Sequence, residues 1–492
     1  MNVFNLSMFA ACLAAAALSV RWLPNPWGWL VAGTATALGL FSLLPRESKP
    51  AFVVVLKGLR WKRSQFCRGW LITGDTGSGK TTSGINQLAH QVFRNEPRWG
   101  GLCIDEKGVY WETLRAMAAR YGRKHDLIHI QIRPDDAPAS WTPEHRFNLT
   151  GNREIPFTTY AKFVVDTATS LGQGGDKGFF KSQAQTHIAH ALELLFESRQ
   201  PVTLAGAFEL LSHRDKLEQE IESLRDLHPA PRRVAVIKHF TNRFLTQPDE
   251  QLGGVRETIG NYLQYFLTPE VAEVFCSRDS TFDIADVDSG KILCVTMPQR
   301  FQTERRYVNT LLKLLFYNHA LHRFDKTRSR RAQDNLIILW ADEAQRFMTA
   351  SEDGTSDYNV VDVIREAGAT VIAAAQSTTS LIPPLGNDKS KVLTLNLRNR
   401  IIFRCADEAD AVQAADFLGK KRVVKRSWGY TAGKRTVTYS ENEEHKIKPH
   451  KLRNLRDHEC VLVHCEKGFR RVTLPPLEAG GRVSPWFKRS WL

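Results

Sequence analysis

Short apolar segments alternate with amphipathic helical patterns along most of this chain. Such a pattern predicts a mostly parallel sheet covered by helices on both faces, which is an α/β fold. In this class of fold, ligands bind at the carboxyl ends of the strands. The segments with the length and composition of buried strands are 69–73, 102–105, 127–132, 292–295, 336–341, 371–375 and 401–403.

A long helical interval separates the third and fourth of these strands. Polar or Gly-rich breaks such as 172–176 divide it into amphipathic stretches. We expect an all-α domain over 157–282, inserted into an α/β domain whose two parts are 46–156 and 283–492. The helical stretches are 182–197, 204–212, 215–227, 233–245 and 255–267.

Two uncharged apolar stretches of 18 residues, Val3 to Val20 and Trp27 to Leu44, precede the first strand. At about 1.5 Å per residue each reaches about 27 Å, close to the thickness of a hydrocarbon core. Lys and Arg residues follow the second stretch, and the positive-inside rule then places both ends of the pair in the cytoplasm. We predict a two-helix transmembrane hairpin over 1–45. The alternative is a cleaved signal peptide, but the first stretch lacks a basic n-region.

The charge and cysteine usage restrict the classes of partner and site. The chain has 67 Lys and Arg against 52 Asp and Glu, a net charge of +15. This surplus favours a polyanionic partner, either nucleic acid or an anionic membrane surface. The eight cysteines are scattered without a C-x-x-C pair, which indicates reduced thiols rather than a disulfide framework or a zinc site.

The segment after the first strand matches G-x-x-x-x-G-K-[ST], the pattern of a phosphate-binding loop that opens a helix. Its glycines allow backbone N–H groups to converge on the phosphates of ATP, and the helix N-terminus adds a positive dipole end. We expect Lys80 to bridge the β- and γ-phosphates and the Thr81 hydroxyl to ligate Mg²⁺. The predicted nucleotide-binding residues are Gly74, Asp75, Thr76, Gly77, Ser78, Gly79, Lys80, Thr81 and Thr82.

Two later strands end in polar residues that suit ATP hydrolysis. Asp342 and Glu343 follow the strand 336–341. We expect Asp342 to hold Mg²⁺, and Glu343 to orient and deprotonate the attacking water. Gln376 follows the strand 371–375 and is predicted to sense the γ-phosphate, although it could simply be a turn or N-cap residue.

Taken in order, these motifs resemble the TraG/TraD-type coupling proteins of type IV secretion, within the HerA–FtsK group of P-loop ATPases. The resemblance runs over nearly the whole chain. At residues 104–108, however, Glu106 stands where that family has proline. The segments that carry the resemblance are 74–81, 104–108, 147–149, 288–298, 342–343, 365–368, 376–377, 396–404 and 418–419.

The resemblance implies a RecA-like nucleotide-binding domain and a homohexameric ring with ATP sites between subunits and DNA in a central channel. It also implies a bacterial inner-membrane hairpin that docks on the secretion channel proteins, and an all-α domain that contacts a relaxase–DNA complex, the relaxosome. We expect ATP hydrolysis to drive sequence-independent translocation of DNA in conjugation, because gripping the phosphate backbone requires no base readout. Three alternatives are a coupling ATPase for protein effectors, an FtsK-like chromosome DNA pump and a docking platform that does not hydrolyse ATP as a motor.

Two sets of basic residues each allow more than one role. A ring ATPase usually completes its site with an arginine from the neighbouring subunit, and Arg365, Arg398, Arg400 and Arg404 are candidates by position, although each could be a surface or strand-end residue. The stretch 420–435 interleaves Lys and Arg with Trp428 and Tyr430. It is either a solvated β-hairpin or a DNA contact.

Overall fold

The structure, a computed structural model, describes residues 3–22, 25–43, 52–172, 178–431 and 434–490. The chain divides into two units, 1–51 and 52–492.

The first unit contains two packed helices, α1 (Val3–Trp22) and α2 (Trp27–Leu43), which confirms the two helices expected from the sequence. Their predicted role in spanning a membrane is not supported. Within the described ranges, none of the helices combines the length and the apolar character needed to cross a bilayer.

The second unit contains the predicted buried strands and several that the sequence pattern did not reveal. Its strands are β1 (Phe52–Leu56), β2 (Leu59–Lys62), β3 (Trp70–Thr73), β4 (Gly100–Asp105), β5 (Leu127–Gln131), β6 (Ile292–Thr296), β7 (Ile337–Asp342), β8 (Ala369–Ala375), β9 (Asn399–Ile402), β10 (Lys420–Thr431), β11 (Lys434–His445), β12 (Glu459–His464) and β13 (Gly468–Thr473).

Helices occupy most of the remaining chain. The α-helices are α3 (Arg63–Phe66), α4 (Asn86–Asn95), α5 (Tyr110–Arg120), α6 (Phe157–Ser170), α7 (Gly178–Glu197), α8 (Leu204–Ser212), α9 (Arg214–Arg225), α10 (Pro231–His239), α11 (Asp249–Leu267), α12 (Pro269–Phe275), α13 (Gln302–His322), α14 (Arg328–Arg331), α15 (Asp357–Val360), α16 (Ile382–Leu385), α17 (Asn387–Asn396), α18 (Glu408–Leu418), α19 (Pro449–Arg453) and α20 (Pro485–Ser490). Short 3₁₀ or π-helical turns lie at Lys80–Ile85, Lys124–Asp126, Phe240–Phe244, Ile284–Ser289, Gln299–Phe301, Arg323–Asp325, Ala344–Arg346, Ile364–Ala367 and Thr379–Leu381.

Nine strands of the described chain form one sheet in the order β13-β12-β9-β3-β8-β7-β4-β6-β5. Neighbours from β9 to β5 are parallel, whereas β12 is antiparallel to both β9 and β13. The residues of β3, β4 and β8 are all buried, as expected when helices cover both faces of a parallel sheet. This mixed α/β fold is the predicted class and is consistent with a RecA-like P-loop domain.

The helices α6 to α12 all lie between β5 and β6, so the chain is helical from Phe157 to Phe275 where it is described. Their apolar faces share one hydrophobic core with one face of the sheet. The opposite face is covered mainly by α4 and α5, and by the small β1–β2 hairpin, which buries Trp61 against Trp70. The two strands that flank this helical segment, β5 before it and β6 after it, are adjacent and parallel in the sheet. The long helical segment therefore leaves the sheet and returns to it without disturbing its order.

Strands β10 and β11 pair with each other over twelve residues and with no other described strand. This β10–β11 ribbon is largely exposed and carries Trp428 and Tyr439 on its surface. The structure confirms the hairpin expected for 420–435, and its suggested contact with DNA stays a prediction. The Arg426 guanidinium lies 4.0 Å from the centre of the Trp428 ring.

A buried ion pair fixes the segment that follows β7. Lys313 of α13 contacts the Asp357 carboxylate, and both side chains are 2% exposed. The same carboxylate accepts hydrogen bonds from the Tyr317 hydroxyl at 2.7 Å and from the Thr349 backbone N–H at 2.8 Å. Burial lowers the pKa of Lys313, and the negative charge of Asp357 opposes this shift. The pair therefore links helix α13 to the segment that follows β7 at the carboxyl edge of the sheet.

Substituting Lys313→Met should destabilise the protein by about 3–5 kcal/mol, because Asp357 would remain buried without its counter-ion. Urea unfolding of the variant and the wild type measures this difference. Arg214→Ala, which breaks the exposed ion pair with Glu218 on α9, is the control and should have little effect. Equal losses for the two variants would contradict this account of the buried pair.

Candidate nucleotide site

A tight glycine-containing loop, residues 74–79, joins β3 to the π-helical turn Lys80–Ile85, which continues into α4. Gly77 and Gly79 have φ values of 83° and 105°, in the left-handed region that residues with side chains rarely adopt. Loops of this geometry direct successive backbone N–H groups toward one anion. The loop and the start of the π-helical turn together contain every nucleotide-binding position predicted from the sequence: Gly74, Asp75, Thr76, Gly77, Ser78, Gly79, Lys80, Thr81 and Thr82.

The Lys80 side chain folds back over this loop and is 8% exposed. Its ammonium group donates hydrogen bonds to the carbonyl oxygens of Gly74 at 2.8 Å and of Asp75 at 3.0 Å. Burial lowers the pKa of Lys80, while the charges of Glu343 and Asp342 oppose the shift. The cation is thus placed between the loop and the acid pair.

Residues 81 and 342 meet at the carboxyl edge of the sheet. The Thr81 hydroxyl donates a hydrogen bond of 3.0 Å to the Asp342 carboxylate, although 261 positions separate them in sequence. This contact arises because β8 alone lies between β3 and β7. A hydroxyl and a carboxylate oxygen are the hard ligands that Mg²⁺ prefers.

A second carboxylate, Asp105, lies beside Asp342, because the last residues of β4 and β7 are register partners. Asp105 accepts hydrogen bonds from the backbone N–H groups of Lys107, Val109 and Tyr110 at 2.8–3.0 Å. Burial, followed by the charge of Asp105, raises the pKa of the Asp342 carboxyl to about 6. The close pair of acids makes a cation at this point favourable.

Glu343 adopts a left-handed backbone conformation with φ of 53°, which costs free energy for a residue with a side chain. Its backbone N–H donates to the Asp342 carboxylate at 3.1 Å, and the Gln345 side chain donates to the Glu343 carboxylate at 2.6 Å. The two adjacent acids therefore have different side-chain partners, Thr81 for Asp342 and Gln345 for Glu343.

Gln376 directly follows β8 and is exposed at the same edge. Its backbone carbonyl accepts a hydrogen bond of 3.2 Å from the N–H of Gly74, the first loop residue. The structure therefore brings Lys80, Asp342, Glu343 and Gln376 together around one loop.

The four candidate arginines differ in position and exposure. Arg404 follows β9 and donates to the carboxylates of Asp75 at 2.7 Å and Asp457 at 2.8 Å. It therefore contacts the nucleotide loop of its own chain. These hydrogen bonds, chiefly the one to Asp75, raise the pKa of Arg404.

Arg400 is buried in β9, with its guanidinium 3.3 Å from the centre of the Phe417 ring. Burial lowers the pKa of Arg400 to about 9. Because an arginine that reaches a neighbouring subunit must be exposed, this position disfavours Arg400 as the residue acting in trans. Arg365 is exposed just before β8, at the opposite edge of the sheet from the loop. Arg398 is exposed just before β9, at the same edge as Arg365. For Arg365, Arg398 and Arg404 the role in trans stays a prediction.

No sequence pattern points to His458, which precedes β12 and lies against the loop. Its ring Nδ1 shares a hydrogen bond of 2.8 Å with the Ser83 hydroxyl, and its backbone N–H donates to the Ser78 carbonyl at 2.9 Å. Asp105 was also missed as a site residue, although an acid at the end of a buried strand is the same signal that identified Asp342.

Comparisons with known proteins agree with this arrangement. The family model of the type IV secretion-system coupling protein DNA-binding domain matches residues 56–475. A sequence search of curated proteins finds no significant match.

Solved structures of conjugative coupling proteins share the fold. The unbound form of the bacterial conjugative coupling protein TrwBdeltaN70 superposes with a TM-score of 0.63 at 15% identity, covering 88% of this chain and 90% of that one. The plasmid coupling protein TrwB in complex with ADP and Mg²⁺ gives 0.63 at 15% identity, with coverages of 87% and 90%. Its complex with the GTP analogue GDPNP gives 0.62 at 15% identity, with coverages of 88% and 91%. Because the family model extends over most of the sequence, the chain belongs to the family of type IV secretion-system coupling proteins.

Proposed function

We propose that this chain binds ATP with Mg²⁺ and hydrolyses it. The observation that carries the proposal is the 3.0 Å contact between Thr81 and Asp342, since it joins the phosphate loop to an acid on a distant strand. The loop N–H groups and Lys80 would hold the β- and γ-phosphates. Thr81 and Asp342 would hold Mg²⁺, which neutralises charge on the phosphates when bound.

Within this site, Glu343 is proposed to orient and deprotonate the attacking water. Its carboxylate is bonded to Gln345 whereas that of Asp342 is bonded to Thr81, so that one acid can hold the metal while the other acts as a base. Gln376 is proposed to sense the terminal phosphate, because its backbone already contacts Gly74 at the start of the loop. A rearrangement of the loop on hydrolysis would therefore be transmitted to β8.

We further propose that hydrolysis drives sequence-independent translocation of DNA, as a relaxase–DNA complex, into a type IV secretion channel during conjugation. Membership of the coupling protein family supports this, since the matched domain is described as DNA-binding. TrwB, which shares the fold, is a conjugative coupling protein solved with ADP and Mg²⁺ and with triphosphate analogues. By the same relation we propose a homohexamer with ATP sites between subunits.

The N-terminal unit is proposed to hold the chain at the bacterial inner membrane, with the second unit in the cytoplasm. Large apolar side chains on both helices are exposed, including Leu18, Trp27, Trp29 and Leu30. Clustered apolar exposure of this kind marks a membrane or protein contact. Fractionation of cells that express the full chain or the chain from residue 46 onward tests this assignment. We expect the full chain in the membrane fraction and the shortened chain in the soluble fraction. Recovery of both forms in the soluble fraction would contradict the assignment.

Replacing Asp342 by Asn should remove the Mg²⁺-dependent part of nucleotide affinity, because the amide cannot supply the negative charge that the cation requires. We expect ADP to bind the wild type at least about tenfold more tightly with Mg²⁺ than with EDTA. In the variant this difference should disappear. Calorimetric titration measures both states, and a variant that keeps the full Mg²⁺ dependence would contradict the assigned metal site.

Glu343→Gln should keep Mg²⁺-ATP binding and lower hydrolysis by about 10²- to 10⁴-fold, the usual contribution of a general base. Steady-state ATPase assays with and without single- or double-stranded DNA provide the measurement, and conjugative transfer in cells provides the functional readout. Gln345→Ala, which removes only the partner of that carboxylate, should have a smaller effect.

If the Glu343→Gln variant supported undiminished transfer, the chain would act as a docking platform rather than as a motor. If the wild-type ATPase did not respond to either form of DNA, protein effectors would replace DNA as the proposed cargo.

A further inference from the structure

The order of strands determines on which side of the loop a nucleobase must lie. Asp342 ends β7, so the terminal phosphate and its metal belong on the side of β8 and β7. The rest of the nucleotide must then leave the loop on the other side of β3, where β9 and β12 lie. Ligands in such sheets bind where neighbouring connections diverge from one strand.

On that side, the chain after β13 folds back onto the start of α4. The backbone N–H of Leu477 donates to the Thr82 carbonyl at 3.0 Å, and the Asn86 side chain donates to the Leu477 carbonyl at 3.0 Å. The Gln87 side chain donates to the Pro475 carbonyl at 2.7 Å. These contacts fix the C-terminal segment beside the phosphate loop.

His458 and two aromatic residues of α20 complete this surface. The Trp486 and Phe487 ring centres lie 5.3 Å and 5.9 Å from that of His458. His458 is itself anchored to the loop, and a Cβ on Gly79 would lie 2.7 Å from its ring Nδ1. Trp486 is 55% exposed, which is unusual for the largest apolar side chain unless its face meets a ligand or partner.

We propose that His458 and Trp486 form a stacking platform for the base of the nucleotide bound at the phosphate loop. The inference rests on the proposed ATP site and adds its base-binding part. Stacking uses the π-face that every base presents, so purine nucleotides should bind with similar affinity whatever their ring substituents. Pyrimidine nucleotides should bind more weakly, because a smaller ring covers less of the indole.

Trp486→Ala should weaken Mg²⁺-ADP binding by about tenfold, the scale of one aromatic–base stack. Binding of inorganic tripolyphosphate, which has no base, should remain at the wild-type value. Trp486→Phe should restore most of the ADP affinity. Trp428→Ala on the β10–β11 ribbon, which removes another exposed indole, is the matched control and should bind both ligands as the wild type does.

Unchanged ADP affinity in Trp486→Ala would overturn the platform, and so would an equal loss for ADP and tripolyphosphate, which would make Trp486 a support of the loop. A wild type that binds neither ligand would instead refute the proposed ATP site. Calorimetric titration of the full chain distinguishes these outcomes.

An independent observation concerns the opposite edge of the sheet, where a cavity of about 830 Å³ lies at the amino ends of β3, β8 and β7. Five arginines from three separate segments line it, together with Glu366 as the one acidic side chain of its lining. We call this cavity the arginine groove. Its arginines are Arg63, Arg68, Arg328, Arg331 and Arg365.

Most of this positive charge is not neutralised within the described chain. Arg68 is paired with Glu466 at 2.7 Å. Arg63 donates to the Asp334 carbonyl, and Arg331 donates to two carbonyl oxygens. Among the described residues, no carboxylate lies within 4.0 Å of the guanidinium of Arg328 or Arg365. Planar guanidinium groups of this kind suit phosphate oxygens, which they can bind in pairs.

We infer that the arginine groove binds the phosphodiester backbone of DNA, an inference that rests on the proposed DNA substrate and places one of its contacts. The lining contains no large apolar side chain, whereas a phospholipid would need an apolar surface for its acyl chains. The remaining groups are backbone, hydroxyl, thiol and small side chains. A ligand that presents phosphates in a row, without apolar parts facing the protein, fits this chemistry.

The variants Arg328→Gln and Arg365→Gln, singly and together, should lower the affinity of the full chain for a short duplex of arbitrary sequence. Each lost phosphate contact should reduce the slope of log K against log salt by about 0.9 between about 50 and 200 mM. The double variant Arg94→Gln/Arg115→Gln removes the same charge from exposed positions of α4 and α5, outside the groove, and is the control.

An affinity and slope equal to those of the wild type, or an equal change in the control, would overturn the groove assignment. Loss of binding to vesicles of anionic lipid without any change in DNA binding would assign the groove to a membrane instead. Failure of the wild type to bind DNA at low salt would refute the proposed substrate itself.

Discussion

The hydrogen bond between Thr81 and Asp342 depends on the register of three parallel strands, and the candidate site depends on that bond. Strands β3, β8 and β7 must end at the same level for a hydroxyl and a carboxylate so distant in sequence to meet. Burial of β3 and β8 between two layers of helices fixes this register, because a slip of one residue would exchange side chains of different size between two close-packed faces. Packing on both faces of the sheet thus supplies the precision that phosphate chemistry requires.

Two opposite electrostatic environments follow from the direction of the strands. At the carboxyl edge, the acids Asp105, Asp342 and Glu343 lie close to Lys80. Burial raises the pKa of Asp342 and lowers the pKa of Lys80, so it favours the neutral form of each group. At the amino edge, arginines collect before three of the same strands. A parallel sheet places all its strand starts on one side and all its ends on the other. The two charge clusters are consequently separated by the length of the strands.

The sequence was sufficient for the parts of the site that depend on local pattern. The phosphate loop has fixed spacing, and Asp342 and Gln376 each end an apolar run of strand length. Residues that act through long-range packing had no such signature. His458 reaches Ser83 across 375 positions, and only the antiparallel return of β12 places it there. The burial of Arg400 against Phe417 likewise depends on how α18 folds over β9, which no local periodicity encodes.

The β10–β11 ribbon has a consequence for the behaviour of the protein in solution. Twelve residues at about 3.4 Å each make a projection of about 40 Å, and both outer backbone edges of the two paired strands lack a further strand within the described residues. Such open edges invite pairing between molecules. Lys420, Lys421, Arg422, Lys425 and Arg426 recur along the first strand. Arg422 and Lys425 pair with Glu441 and Glu444 of the second strand. Charged side chains along both strands oppose the burial of one ribbon against another. The basic side chains of the ribbon, which are suited to a polyanionic partner, therefore also disfavour self-association of the chain at high concentration.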